Sequence, residues 1–235
     1  MGTNVLAGYL DRNIDSVMKR TMNRPLPKGK IKPKSAFIFG FSLLVNGIFI
    51  AAFINSYVLL WGLMGAGFVL LYNCWLKRYT PYNILIASPA GAAPLLGAYS
   101  AMTGNLISLQ PFLLALLIIF WTPVHIWSLA VFYREDYRKA GVPMLPVVER
   151  NDKVMWLIVL FTMLYIANAF AVFFMLKPLW VSLFMILLLN YPLVRLVVRS
   201  VRSSSTVVHY ILFKLSGPHL GTVFTVYLAL SIFMR

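Results

Sequence analysis

Of 235 residues, 60% are hydrophobic and 11% are charged, and the formal net charge is +15. A charged fraction about half that of soluble domains excludes a water-soluble globular fold and marks an integral membrane protein. The basic excess lies in the gaps between apolar runs, so it reads as bilayer orientation and excludes nucleic acid as a partner.

Residues 1–10 read as the tail of a helix, since they would rise about 15 Å, half the hydrocarbon core. So short an apolar start, reaching Asp11 at once, is not a signal peptide. It carries the expectation that helical material upstream is missing, or that a partner covers the gap. A polar loop follows, with Lys28, Lys30, Lys32 and Lys34 among Pro25, Pro27 and Pro33.

Seven spans are then predicted, which makes the chain an all-α polytopic membrane bundle in a single domain. The first opens at Ser35, read as its N-cap, and ends near Ile54. The second runs from about Tyr57 to Leu76 and stops at Lys77-Arg78. It contains Cys74, the single cysteine, which reads as a small buried hydrophobe. Thr80-Pro81 opens the third, to about Met102, with Pro81 at a helix start. The fourth runs from about Leu109 to Tyr133, and the fifth, after a charged loop, from about Val154 to Leu176. Lys177-Pro178 turns into the sixth, to about Leu193. Residues 195–216 are basic and partly apolar and read as an interfacial helix. The seventh span runs from about Pro218 to Met234.

Alternating the loops puts residues 11–34, 77–81, 134–153 and 195–216 on one face, with 19 of the 21 Lys and Arg residues. The positive-inside rule makes that face cytoplasmic. Its opposite keeps only Lys177 and Arg235. All six acidic residues share the basic face, so phosphate chemistry is expected at the cytoplasmic surface of the cell membrane.

Two spans are poorly built for contact with lipid alone. The third contains Ser88-Pro89-Ala90-Gly91-Ala92-Ala93-Pro94 and the fourth Trp121-Thr122-Pro123-Val124-His125. Broken backbone of this kind belongs where it lines a cavity or faces protein. Gly62, Gly65 and Gly67 in the second span read as close helix packing.

Asp11 and Asp15 stand four residues apart, so a helix would put both carboxylates on one face. Arg12, Lys19, Arg20 and Arg24 crowd round them. Carboxylates suit a hard dication that keeps positions open for phosphate oxygens, and Arg and Lys suit the phosphates themselves. A solvated loop whose acids trim its charge is the competing reading. The run from Arg134 to Pro146 repeats the grammar around Glu135 and Asp136. Lys77, Arg78 and Tyr72 stand at a third cytoplasmic helix end, within reach of the same anion. Glu149 and Asp152 read as loop trimming or a cap for the fifth span.

The run Asp11-Arg12-x-Ile14-Asp15-x-x-Met18-x-Arg20-Thr21-x-x-Arg24-Pro25 resembles the first aspartate motif of the protohaem IX farnesyltransferase (haem O synthase) family. That family lies within the intramembrane aromatic-prenyltransferase superfamily. Leu71-Tyr72-x-x-Trp75-Leu76-Lys77-Arg78-x-Thr80-x-x-Asn83, with Gly91-Ala92-x-Pro94 after it, resembles the next blocks in order. Trp121-x-Pro123-x-His125-x-Trp127 resembles the haem-enzyme helix. Asp136-Tyr137-x-x-Ala140-Gly141-x-Pro143-Met144-Leu145-Pro146 resembles the signature that separates this branch from quinone and chlorophyll relatives, which carry a second aspartate where Ala140 stands. The chain departs from the pattern at Ala7, Gly8 and Asn13. Set against the nine spans of the family, it lacks the first helix and most of the second.

The resemblance implies Mg²⁺-dependent transfer of the farnesyl group of farnesyl diphosphate to a vinyl group of haem b. It implies Asp11, Asp15 and Asp136 as catalytic metal ligands. Arg20, Arg24, Lys77 and Arg78 are implied as diphosphate contacts, with Arg12 and Arg138 behind them. Tyr72, Asn83 and Tyr137 complete the substrate-binding set. His125 contacts haem or positions the acceptor, or else it is a structural histidine filling the hydrogen-bonding gap left by Pro123. His209 and His219 read as structural. The downstream haem A synthase is implied as a partner. Alternatives are a quinone or lipid acceptor, an inactive remnant, and, in another class, an anion transporter. Transporters usually hold their charged site near the midplane, whereas these charges gather at one surface.

Overall fold

The computed structural model describes residues 1–203 and 205–233. Those residues are organised as helices, and seven of the helical segments are long and apolar enough to cross a membrane. Two short helices, α1 (Gly2–Leu10) and α2 (Arg12–Val17), lead into a string of turns and then α3 (Pro33–Ile54). Pro33 begins α3, with Lys32 as its N-cap. The expected cap, Ser35, is already inside the helix, because proline supplies a preset φ and needs no N–H in the first turn.

The second span, Ser56–Tyr79, is α4 (Ser56–Leu71), a π-helical turn (Tyr72–Leu76) and α5 (Lys77–Tyr79). Asn55 caps it, its side-chain oxygen accepting from the Val58 N–H at 2.9 Å. The third span is α6 (Asn83–Ala87) and α7 (Pro89–Thr103). It starts at Asn83 rather than at Pro81, and the turn over residues 80–82 separates it from α5. The rest of the chain is α8 (Leu109–Phe132), short α9 (Arg134–Lys139) and α10 (Leu145–Val148), then α11 (Asn151–Phe174), α12 (Leu179–Arg202) and α13 (Thr206–Phe233).

The expected interfacial helix over residues 195–216 is not a separate element. Arg195, Arg199 and Arg202 end α12, and Lys214 lies within α13. The sixth span does not end near Leu193, since α12 runs through Pro192 and on to Arg202. The expected limit of the last span at Met234, and Arg235, lie outside the described residues.

Helix α8 is the hub, packed against α7, α11 and α13, with α12 closing on α11 and α13. Trp127, Ile158, Tyr165, Phe173, Ile186, Leu212 and Val223 form the buried centre of this half. Helices α3 and α4 present Phe39, Phe49, Phe53 and Leu63 outward, as lipid-facing helices do. Cys74 is exposed there too, contrary to the expectation of burial. In the π turn the inward positions go to Asn73 and Leu76, and Lys77 follows them inward at the start of α5. Of the three glycines in the second span, Gly65 makes the close approach, since a Cβ on it would stand 2.9 Å from Ala93 Cβ. Gly67 has open space around it.

Candidate active site

Asp11 closes α1 and precedes α2, and its side chain makes no capping hydrogen bond. Asp15 follows one turn later. Both are buried, and both line a cavity of about 440 Å³, as their spacing requires. Two cations meet them. Lys77 Nζ donates to Asp11 Oδ2 at 2.6 Å, and Arg24 donates to Asp15 Oδ2 at 2.8 Å. The two pairs differ in setting. Both partners of the first are about nine-tenths buried, whereas Arg24 is half exposed. Asp11 Oδ1 is buried without a hydrogen-bond partner, so one oxygen remains for a ligand.

Lys77 reaches Asp11 through the π turn that precedes it. Asn73 Nδ2 donates to the Val69 carbonyl at 2.7 Å, taking up a carbonyl of the helix just before that turn. Such turns widen a helix by one residue and occur often at functional sites. The Lys77 ammonium then passes 5.8 Å from the centre of the Tyr72 ring.

Arg20, Tyr72, Tyr137, Thr122, His125 and Phe213 are among the other residues lining the cavity, and Ala87 and Ala90 flank Pro89 on its wall. The broken third span and the His125 segment of the fourth therefore face it, as their sequences imply. A neighbouring hollow of about 900 Å³ shares Asp11, Asp15 and Arg24. Burial pushes the Tyr137 hydroxyl above its ordinary pKa, opposed by the Arg20 guanidinium nearby.

Other expected site residues lie outside this lining. Asp136 is buried beside Tyr137 on α9, with Oδ2 lacking a partner, but is not among the lining residues. Arg12 folds back on α1, donating to the Tyr9 carbonyl at 2.8 Å over the Tyr9 ring. Arg78 is exposed and donates to the Leu10 carbonyl at 3.3 Å. Arg138 pairs with Glu135 at 2.6 Å on the surface. Asn83 is fully buried and holds the turn before α6, donating to the Thr80 carbonyl at 2.7 Å. No group of three His, Cys, Asp or Glu side chains among the described residues is placed to hold a metal ion. Glu149 and Asp152 pair with Lys153 and Arg150, and Asp152 lies in the first turn of α11 without capping it. His209 and His219 are buried; Tyr165 and the Leu189 carbonyl meet the His219 ring.

His125 does not fill the gap behind Pro123. Its Nδ1 lies 2.8 Å from Ser216 Oγ on α13. Sequence reading missed Ser216, which stands 91 positions further on in an unremarkable polar–apolar run.

A bundle of membrane-length helices whose carboxylates and basic residues meet in one hollow at the ends of its spans is suited to holding a divalent cation and a phosphorylated substrate. The chain belongs to the UbiA prenyltransferase family, whose pattern matches residues 1–217. It is similar to protoheme IX farnesyltransferase 1 of Picrophilus torridus, at 39% identity over 236 residues covering 99% of this chain and 78% of that one. Among solved structures it is similar to a digeranylgeranylglyceryl phosphate synthase in membranes, with a TM-score of 0.78 and 21% identity over 98% of this chain and 81% of that one. It is also similar to a UbiA homologue from Archaeoglobus fulgidus bound to GPP and Mg²⁺, with a TM-score of 0.66 and 18% identity over 96% and 82%. At these identities the two structures establish the shared fold.

Proposed function

We propose that this protein transfers the farnesyl group of farnesyl diphosphate to a vinyl group of haem b, forming haem O, with Mg²⁺ bound and its site on the cytoplasmic side of the cell membrane. The acceptor is supported by the name of the Picrophilus relative. The donor class and the ion are supported by the Archaeoglobus homologue, whose ligands are GPP, a prenyl diphosphate, and Mg²⁺. The observation that carries the reading is the buried Asp11–Lys77 pair with Asp15 and Arg24 on one cavity.

The residues fit the ion. Mg²⁺ takes one or two protein carboxylates and fills its remaining positions with phosphate oxygens and water. Asp11, with an unpartnered oxygen, and Asp15 supply two carboxylates, the number such a site uses. Asp136 then acts from behind, as a supporting carboxylate acting through water. When bound, Mg²⁺ acts as a Lewis acid on the leaving diphosphate.

Lys77, Arg24 and Arg20 hold fixed positive charge where negative charge grows as the allylic C1–O bond breaks with both electrons on oxygen. The vinyl π pair closes the new carbon–carbon bond to C1. Water then adds to the cation left on the porphyrin side and releases one proton. Leu129, Ile126, Ile84 and Val69 on the cavity wall keep other water away from the farnesyl cation. Membranes containing the protein, incubated with haem b, farnesyl diphosphate and Mg²⁺, are expected to yield haem O by mass spectrometry. No haem O, or transfer to a quinone precursor or glycerol-phosphate lipid instead, overturns the proposal.

A further inference from the structure

The ring of His125 is held in one tautomer. Its Nδ1 is 2.8 Å from Ser216 Oγ, and that hydroxyl is 2.9 Å from the Phe213 carbonyl oxygen. A carbonyl can only accept, and a serine hydroxyl has one proton to give. That proton goes to Phe213, so Ser216 Oγ accepts from Nδ1–H. The imidazole therefore carries its proton on Nδ1 and an unshared pair on Nε2. No described residue hydrogen-bonds Nε2. The ring also sits 4.4 Å, centre to centre, from both Trp121 and Phe213. Trp121 Nε1 donates to the Ser216 carbonyl at 2.7 Å, tying the same turn of α13 to α8.

A neutral imidazole on a cavity wall, whose N–H is held by an outer acceptor so that the other nitrogen keeps its lone pair, is how proteins present histidine to a metal. Filling the Pro123 gap needs none of this: it would turn a ring N–H to a carbonyl of α8, not to a hydroxyl on α13. We infer that His125 Nε2 is an axial ligand to the iron of the acceptor porphyrin, and that Ser216 is the positioning residue that fixes its tautomer. The inference rests on haem b being the acceptor. Ligation at the centre of the macrocycle holds its rim, where the vinyl groups lie, toward the carboxylate end of the same cavity.

The test is resonance Raman spectroscopy of the protein in lipid nanodiscs loaded with ferrous protohaem IX, with haem O formation followed by mass on the same samples. Wild type is expected to show an iron–histidine stretch, and His125→Ala to lose it and regain a shifted one with added imidazole. Ser216→Ala is expected to keep a weakened, shifted stretch with haem affinity down roughly tenfold, and Ser216→Thr to restore both. Metal-free protoporphyrin IX is expected to bind wild type and His125→Ala equally. An iron–histidine stretch unchanged in His125→Ala overturns the ligation even if haem O is made. So does a haem O yield lost with the stretch retained, which would make His125 a base and not a ligand. A stretch that vanishes with His125 while wild type makes no haem O leaves the ligation standing and overturns the transferase reading instead.

Discussion

Lys77 Nζ donates to Asp11 Oδ2 at 2.6 Å across 66 residues of chain, joining the end of the second span to the junction of α1 and α2. Both side chains are about nine-tenths buried, so each neutralises a charge the other could not carry alone in that setting. Lys77→Met is therefore expected to abolish transfer and to destabilise the fold by about 3–5 kcal/mol, since it strands a buried carboxylate. The double variant Lys77→Met with Asp11→Asn is expected to recover most of that stability and none of the activity. Thermal unfolding in detergent, read beside haem O yield, checks both halves.

The Asp15–Arg24 pair is open to solvent on the arginine side, so its contribution to stability is small, about 0–1 kcal/mol. Arg24→Ala is expected to leave the melting temperature nearly unchanged while raising KM for the diphosphate. Arg24→Lys should recover only part of the loss, because an ammonium lacks the planar fork that meets two phosphate oxygens at once. Steady-state kinetics at varied farnesyl diphosphate separate these outcomes.

Arg138 and Arg12 were expected from sequence to stand behind the diphosphate, yet one pairs with Glu135 on the surface and the other folds onto Tyr9. Arg138→Ala is accordingly expected to leave turnover near that of wild type and to change stability by only about 0–1 kcal/mol, as for other exposed ion pairs. A loss comparable to that of Lys77→Met would show that α9 moves onto the substrate when it binds.

Packing in the second span separates two glycines of the same helix. Gly65→Ala places a Cβ 2.9 Å from that of Ala93 and is expected to destabilise by about 1–3 kcal/mol, with Ala93→Gly restoring the fit. Gly67→Ala meets open space and is expected to be neutral, or stabilising by about 0.5–1 kcal/mol, because alanine is the better helix former. Unfolding in mild denaturing detergent measures the difference.

Tyr137 has its pKa raised by burial, so it stays protonated at pH values where an exposed tyrosine ionises. The folded state then binds the proton more tightly than the unfolded chain, and this contribution to stability is lost as pH climbs past about 10, the unfolded value. Tyr137→Phe is expected to leave the alkaline limb of the rate profile where it is and to remove that part of the alkaline loss of stability. Turnover and melting temperature between neutral pH and pH 11 provide the check.

The spans were legible because their ends carry plain physical signals: Lys77-Arg78 and Lys177-Pro178 at helix ends, and charges crowded on one face. Asp11 and Asp15 were legible as a pair because helix periodicity alone puts them together. The sixth span outran its expected end near Leu193 because the basic run from Arg195 reads locally as a separate interfacial segment, whereas packing against α11 and α13 carries α12 on to Arg202. Cys74 was misplaced for a related reason, since a π turn shifts which residues face inward and leaves no mark in hydropathy. Asp136 and Tyr137 are neighbours on a helix of one and a half turns, and sequence could not say which of them lines the cavity. The Ser216 contact to His125 was invisible because it joins residues 91 apart on different helices.

Haem O formation by Asp11→Asn, measured by mass against wild type in the same membranes with Mg²⁺ and farnesyl diphosphate saturating, bears most directly on the proposed chemistry. Turnover is expected to fall by roughly 10²–10³-fold, the scale seen when one preorganised charge-stabilising group is removed. Wild-type turnover in Asp11→Asn would contradict it.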